Sequence, residues 1–427
     1  MKVLWITNIL FPEAECGVSR NTEIKDSGGW LLGSANEIVK KEGIKLCVAT
    51  VSPIVRELTK ISGEHILYYI IPYGKGNLKY NKKYELYWKR IKDEFGPDIV
   101  HIHGTEFSHG LAYVNSCGSN NVVVSIQGLL SSCYKYYDYG LSAWQIIKNI
   151  AIKDLLRGTI FHFKRSFKQR SFLEKALLNK VPYIIGRTDW DHAHTWSINP
   201  GAKYYFCNET LREQFYDNDV IWNYDYCKKH SIFIAQAGYP LKGLHQLIKA
   251  LPLVLKEYPD TQIYVAGKNI LDNKGIKAIT NYDGYGRIIK ELIDKRELNA
   301  HFHFLGFLNA LQMKEQYLKS NVFISLSSIE NSPNSLGEAQ ILGVPCIASF
   351  VGGVSNMIPN ESCGILYRFE DIESLAWNIC KLFQYSSQFD NKEMIEISSK
   401  RHDRSENSSQ LFWIYNEILK GNSHSNY

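Results

Sequence analysis

SSIENSPNSLGEAQILGVPCIASF, residues Ser327 to Phe350, decides the fold. The run leading into it, NVFISLS (Asn321–Ser327), is apolar, rich in β-formers and short enough for a buried strand. Pro333 blocks any helix from passing through the stretch. Ser335 and Glu338 have the S-x-x-E spacing of a helix start, and LGEAQIL reads as that helix, stopping at Gly343. VPCIAS (Val344–Ser349) reads as the next strand. The order strand, loop, helix, strand puts the loop and the helix start where parallel strands end, which is where open α/β sheets bind ligands.

Glu330 and Glu338 frame that loop with seven residues between them. With Pro333 interrupting, Glu330 falls on the loop and Glu338 in the first helical turn. Both then face one pocket, with the backbone N–H groups of Asn334, Ser335 and Leu336 between them. Amides at a helix start attract an anion. A diphosphate fits there, with each carboxylate accepting hydrogen bonds from sugar hydroxyls. The same spacing also fits a plainer reading, in which Glu338 completes a capping box and Glu330 is a solvated loop acid.

Working outward, 427 residues with 45% apolar content suffice for two or three domains. A formal charge of +6 is too small to imply a nucleic-acid partner for the whole chain. The nine cysteines include no C-x-x-C pair, which fits reduced thiols in a cytosol better than a disulfide framework. The opening MKVLWITNILF is followed at once by Pro12, Glu13 and Glu15, so it reads as a first strand rather than a leader. No run approaches the roughly 18 apolar residues of a spanning helix.

In the first half, KVLWITN (Lys2–Asn8), KLCVATVS (Lys45–Ser52) and HILYYIIPY (His65–Tyr73) read as strands. So do DIVHIHG (Asp98–Gly104), NVVVSIQG (Asn121–Gly128), PYIIGRT (Pro182–Thr188) and KYYFCN (Lys203–Asn208). Gly28 and Gly29 open a helix, where a bare backbone lets a ligand approach closely. His103, Gln127 and Arg187 sit at strand ends as cleft positions, although a histidine on a strand more often serves structure. Asp189-Trp190-Asp191 has the D-x-D form of a cation site, yet it lies at a helix start where Asp is favoured as a cap. We assign no metal. Between Lys148 and Lys180 nine Lys or Arg face only Asp154 and Glu174, an excess of +7 interleaved with Leu, Ile and Phe. That suits a helical surface docking on an anionic membrane, or a solvated basic helix pair.

The second half starts with HSIFIAQAG (His230–Gly238), then Lys242-Gly243 before the helix LHQLIKALPLVLKEY. TQIYVAG (Thr261–Gly267) and HFHFLGF (His301–Phe307) follow as strands, and helices lie near Ile372–Phe383 and Ser408–Leu419. Strands alternating with helices in two successive sets predict an α/β protein. Its two Rossmann-like, doubly wound parallel-sheet domains would face each other across a ligand cleft. The boundaries read as 1–228, including a basic helical segment 131–180, and 229–405. Residues 406–427 read as a terminal helix packing back on the first domain, plus a polar tail.

Several of these residues together resemble a known family. Lys242-Gly243, the VAG of Val265–Gly267, FLGF (Phe304–Phe307), Glu330 with Glu338, GVPCIAS and Gly352-Gly353 occur in the order of glycosyltransferase family 4, retaining enzymes of the GT-B fold. Gly28-Gly29 and the DIVHIHG strand match more loosely. The resemblance implies a hexosyltransferase that moves a sugar from a nucleoside-diphosphate sugar, such as a UDP-sugar, to a hydroxyl of a glycan or lipid-linked acceptor, in bacterial cell-surface polysaccharide or glycolipid synthesis. It implies that Glu338 holds the donor ribose, and that Glu330 and the amides of Asn334, Ser335 and Leu336 grip the donor sugar and diphosphate. Lys242 would neutralise the leaving group. Gly28, Gly29, Gly267 and Phe307 join the donor-binding set, and His103 and Arg187 the acceptor side. No cofactor or metal is implied, and the expected location is cytoplasmic, at the inner face of the cell membrane. Two departures stand out. Gln236 and Tyr239 replace a phosphate-contacting Arg before Lys242. Gln127 replaces a His beside the reacting sugar, and Gln transfers no proton near neutral pH. A sugar-nucleotide epimerase of the same architecture, or an inactive nucleotide- or glycan-binding protein, are the competing readings.

Overall fold

The computed structural model describes residues 1–18, 28–72, 79–217, 220–270 and 282–424. Ser27, Tyr73 and the last three residues of the polar tail lie outside them. The chain divides into two units. One comprises Met1–Ser131, Ser166–Arg212 and everything from His402 onward; the other comprises Ser132–Arg165 and Glu213–Arg401.

The first unit is built on eight strands: β1 (Lys2–Thr7), β2 (Lys45–Ser52), β3 (Thr59–Ser62), β4 (Ile66–Pro72), β5 (Ile99–His103), β6 (Val122–Ser125), β7 (Tyr183–Gly186) and β8 (Lys203–Phe206). Their order is β3-β4-β2-β1-β5-β6-β7-β8. Every pairing is parallel except that of β3 with β4. β1 shows why its sequence is apolar throughout. Leu4 and Ile6 join one core with Tyr84, Trp88 and Ile91. Val3 and Trp5 join another with Ala35, Ile38 and Ile414. A strand covered on both faces reads as a continuous hydrophobic run, as in all doubly wound sheets. The helix Arg404–His424 supplies Leu411, Ile414, Tyr415 and Ile418 to the second core. There the hydroxyl of Tyr415 accepts from Trp5 Nε1 at 2.9 Å.

The second unit carries β9 (Lys228–Ile234), β10 (Gln262–Ala266), β11 (Phe302–Gly306), β12 (Ser320–Ser325), β13 (Cys346–Ser349) and β14 (Ile365–Tyr367). All are parallel, in the order β11-β10-β9-β12-β13-β14. In both sheets the first strand of the unit is flanked on one side by the next strands and on the other by later ones. The order therefore reverses between β1 and β5, and between β9 and β12. Crevices at the carboxyl ends of such strand pairs are where doubly wound sheets hold ligands.

The structure moves the domain boundaries. The division falls at Arg212/Glu213 and not at 228/229, and the first unit resumes at His402 and not at 406. The segment 131–180 is also split. Ser132–Arg165 packs in the second unit, because its backbone is tied to side chains there. Tyr139 O accepts from His245 Nε2 at 2.9 Å, Gly140 O from Lys249 Nζ at 2.8 Å and Tyr136 O from Ser328 Oγ at 2.8 Å.

Candidate functional site

In the second unit, the turn after β9 and the loop after β12 meet at the reversal of strand order. Lys242 Nζ contacts Glu330 Oε1 there. Ser327 Oγ donates to the same oxygen at 2.9 Å, and the lysine stands 5.9 Å from the centre of the Tyr239 ring. Both ends of the pair remain about one-fifth exposed (18% and 19%), so a ligand can reach them. Burial alone would pull the Lys242 ammonium down. The Glu330 carboxylate outweighs it and holds the pKa above the usual lysine value. Lys242 is therefore a fixed cation, and Tyr239 offers it a ring face.

Two glycines make this approach possible. A Cβ on Gly243 (φ +72°) would fall 1.9 Å from Leu326 O, and one on Gly352 (φ +54°) 1.8 Å from Glu330 O. Gly353 N–H donates to Glu330 O at 3.1 Å. The glycine pair after β13 thus clamps the backbone that presents Glu330.

The helix Asn334–Ile341 begins beside this pair, with Pro333 as its N-cap and no side-chain cap bond. Two expectations are corrected here. Ser335 and Glu338 form no capping box, because Pro333 starts the helix two residues too early for that spacing. The Leu336 amide is not available to a ligand, since it donates to Pro333 O at 3.0 Å in a tight first turn. The amides of Asn334 and Ser335 have no backbone acceptor among the described residues. Asn334 Oδ1 is buried without a hydrogen-bond partner. Glu338 is 4% exposed, with Oε2 at 3.5 Å from the Tyr317 hydroxyl, which also donates to Ser335 O at 2.9 Å. Gly267 ends β10, its N–H donating to Gly306 O at 2.8 Å, and Phe307 stands 85% exposed just past β11.

A second polar cluster lies within the first unit, at the carboxyl ends of β1, β5, β6 and β7. Asn8 Nδ2 donates to Glu106 Oε2 at 3.1 Å, across the reversal between β1 and β5, while His109 Nε2 pairs with Asn8 Oδ1 at 2.7 Å. Burial raises the Glu106 carboxyl from 4.5 to about 7, the nearby Glu174 adding to it, with Arg170 and backbone N–H groups opposing. Gln127 Nε2 donates to Glu209, whose other oxygen is held by Arg187. Arg187 also donates to Ile126 O and Gln127 O at 3.2 Å each. The structure thus joins Gln127 and Arg187 through Glu209.

His103 lines the same small cavity as Arg187 and Glu209. It packs on Trp5 and His101 (ring centres 4.4 and 3.8 Å apart), and burial, then His101, holds it far below the usual histidine range. The cavity is about 30 Å³, room for water and too small for a sugar. Gly28 (φ +81°) and Gly29 start the helix Gly29–Ile38 against Ile9 and Arg212. Asp191 is engaged by Arg187 N–H at 2.9 Å and by Tyr204, and Thr188 caps its helix, Asp189–Ile198. Glu106 and Glu209 were not singled out by the sequence. An acid three residues past a strand carries no motif, and Glu209 is defined only by its partners.

Two doubly wound parallel sheets, the second carrying a lysine, an acid and a helix start at its reversal, define the GT-B glycosyltransferase fold. Within it, residues 226–401 match the family model of glycosyl transferases group 1. The chain is 25% identical over 188 residues to the capsular polysaccharide biosynthesis glycosyltransferase CapM of Staphylococcus aureus, spanning 42% of this chain and 44% of that one. The match thus covers under half of that curated relative. Among solved structures, sucrose-phosphate synthase from Thermosynechococcus elongatus superposes with a TM-score of 0.69 at 16% identity, covering 98% of this chain and 99% of that one. HepE of Anabaena, in complex with UDP and glucose, does so with 0.63 at 14% identity, covering 98% and 100%.

Proposed function

We propose that this protein is a retaining glycosyltransferase moving a sugar from a nucleoside-diphosphate sugar to a hydroxyl acceptor. The observation that carries the reading is the contact of Lys242 with Glu330 at the strand-order reversal, beside the open amides of Asn334 and Ser335. A diphosphate there meets a fixed cation and the positive end of a helix. Its two charges compete for Lys242, leaving Glu330 to accept hydrogen bonds from the donor sugar. Glu338 takes the ribose, and Gly267 and Phe307 border the base. HepE, whose structure holds UDP and glucose, supports a UDP-sugar as donor.

In the reaction the bond from the anomeric carbon to the diphosphate oxygen breaks, its electron pair passing to that oxygen. The acceptor oxygen bonds the same face of the anomeric carbon, and its proton goes to the departing phosphate. Gln127, fixed by Glu209, orients groups and moves no proton. Charge stabilisation by Lys242 and positioning supply the catalysis. This scheme calls on no metal, and turnover unchanged by a chelator checks that. On the acceptor side, Glu106 and Asn8 offer hydrogen bonds to a sugar hydroxyl.

The name of CapM supports an acceptor in cell-surface polysaccharide or glycolipid synthesis. No helix among the described residues is long and apolar enough to cross a membrane. We place the work at the inner face of the cell membrane, with peripheral contact through 148–180. Mass spectrometry of a panel of nucleotide sugars, with and without acceptor, tests the reading. Product requiring both substrates supports it, and a donor epimerised without acceptor overturns it.

A further inference from the structure

Five of the 23 large apolar side chains exposed among the described residues fall within one short segment, 144–157. The helices Ala143–Lys148 and Ile152–Arg157 present Trp144, Ile147, Ile152, Leu155 and Leu156 to solvent, the last two at 76% and 85% exposure. Spacings of three and four residues put Trp144 with Ile147, and Ile152 with Leu155 and Leu156, on one face of each helix.

This hairpin is held to its unit by buried Ile146 and Ala151 and by a set of polar ties. Asp154, the segment's acid, is buried, accepting from Gly284 N–H at 3.0 Å and from Ala151 N–H at 2.9 Å. Asn149 Nδ2 and Lys148 Nζ reach Glu291 at 2.9 and 2.6 Å, and Arg287 donates to Ile150 O at 3.1 Å. Asp154, Asn149 and Lys148 are tied to the helix Gly284–Asp294 and its start, with Ile146 buried beside them, while Trp144, Ile147, Ile152, Leu155 and Leu156 face outward. An amphipathic surface helix of a globular protein buries most of its apolar residues instead. A contiguous apolar ridge kept in water marks a docking surface.

Its charge says what docks. Lys153 and Arg157 lie on the second of these helices, and Arg165 with exposed Phe161 and Phe163 lies on the next, Ile160–Leu178. The one acid among them is turned inward. Basic side chains flanking outward Trp and Leu match an anionic lipid surface, where the ring settles at the headgroup level and the cations meet phosphate. We propose that Trp144–Arg157 is the membrane-docking ridge of this protein, inserting its apolar face into an anionic bilayer. This rests on the peripheral contact proposed for 148–180 and relocates its apolar part to 144–157.

Flotation of the full chain with vesicles of equal parts phosphatidylglycerol and phosphatidylcholine tests it, with phosphatidylcholine alone as control. Binding should favour the anionic vesicles and weaken with salt. Leu155→Glu/Leu156→Glu should lower the partition coefficient by about tenfold or more, with the melting curve and turnover of a soluble acceptor unchanged. If that variant floats as wild type while Lys168→Glu/Lys175→Glu does not, the ridge is refuted and the wider basic contact stands. If wild type never floats, both fall. A dimer dissolved by the double glutamate, without flotation, assigns the ridge to a second copy instead. Flotation without any glycosyl transfer refutes the enzyme reading and leaves the ridge.

Discussion

Lys242 and Glu330, 88 residues apart in the chain, touch side chain to side chain at the carboxyl ends of adjacent strands. The contact needs β9 beside β12, with the turn and loop behind each held by backbone bonds such as Ser328 N–H to Leu241 O at 2.8 Å. It makes the lysine a permanent cation and keeps it where an anion can take it over.

Removing either partner should leave a folded protein that barely turns over. One lost charge-assisted contact is worth about 1.5–3 kcal/mol, a loss of about ten- to a hundredfold in kcat/KM for Lys242→Ala or Glu330→Ala. Steady-state kinetics with the active nucleotide sugar measures this. Wild-type turnover in either variant would refute the assignment.

Gly352→Ala tests the clamp on Glu330. The added Cβ has nowhere to go at 1.8 Å from a carbonyl oxygen, and its φ is unfavourable for a side chain. We expect a loss of about 2–4 kcal/mol in chemical denaturation, together with impaired turnover. A variant as stable as wild type would show that the backbone relaxes there freely.

Glu106 should impose a pH dependence on stability. Its folded pKa is raised from 4.5 to about 7, so the folded chain binds its proton more tightly than the unfolded chain does. Its contribution is complete below 4.5 and is lost as pH rises through about 7. The histidines His101, His103, His109 and His245 are shifted down by burial and act oppositely, weakening the fold on acidification. The difference between wild type and Glu106→Gln isolates the carboxyl. Melting temperatures from pH 4.5 to 7.5 should show the variant gaining on wild type as pH rises, and parallel curves would contradict this.

Tyr415→Phe should destabilise the first unit without touching the site. The hydroxyl serves both Trp5 Nε1 at 2.9 Å and His101 Nδ1 at 2.7 Å in a buried setting. Leaving these groups unsatisfied costs about 1–3 kcal/mol, measurable by denaturant titration, with kcat expected to stay within twofold at a temperature where both proteins are folded.

Most strands were readable because strands buried on both faces are apolar throughout, and KVLWIT and KLCVATVS carry that in composition alone. β3 was not, since TKIS is a polar edge strand with alternating exposure. β14 was not, since three residues are too few for a pattern. Around the site, Glu330 stood out by its spacing from Glu338, Lys242 by its place before a helix, and Gly352 and Gly353 by the resemblance. Glu106 and Glu209 did not, because their significance lies in Asn8, Gln127 and Arg187, brought to them from other strands. Segment 132–165 was misplaced for the same reason: its attachments reach residues about a hundred positions away, as Tyr139 to His245 does.

By itself the chain determined its succession of strands, turns and helices, and which loops end in glycine, lysine and acid. Those follow from periodicity and from backbone preferences that act within a few residues. Only the tertiary structure decided that Lys242 meets Glu330, that Leu336 spends its amide internally and that the 144–157 ridge faces outward. Each depends on hydrogen bonds and packing between strands and helices distant in sequence, which local propensity cannot encode.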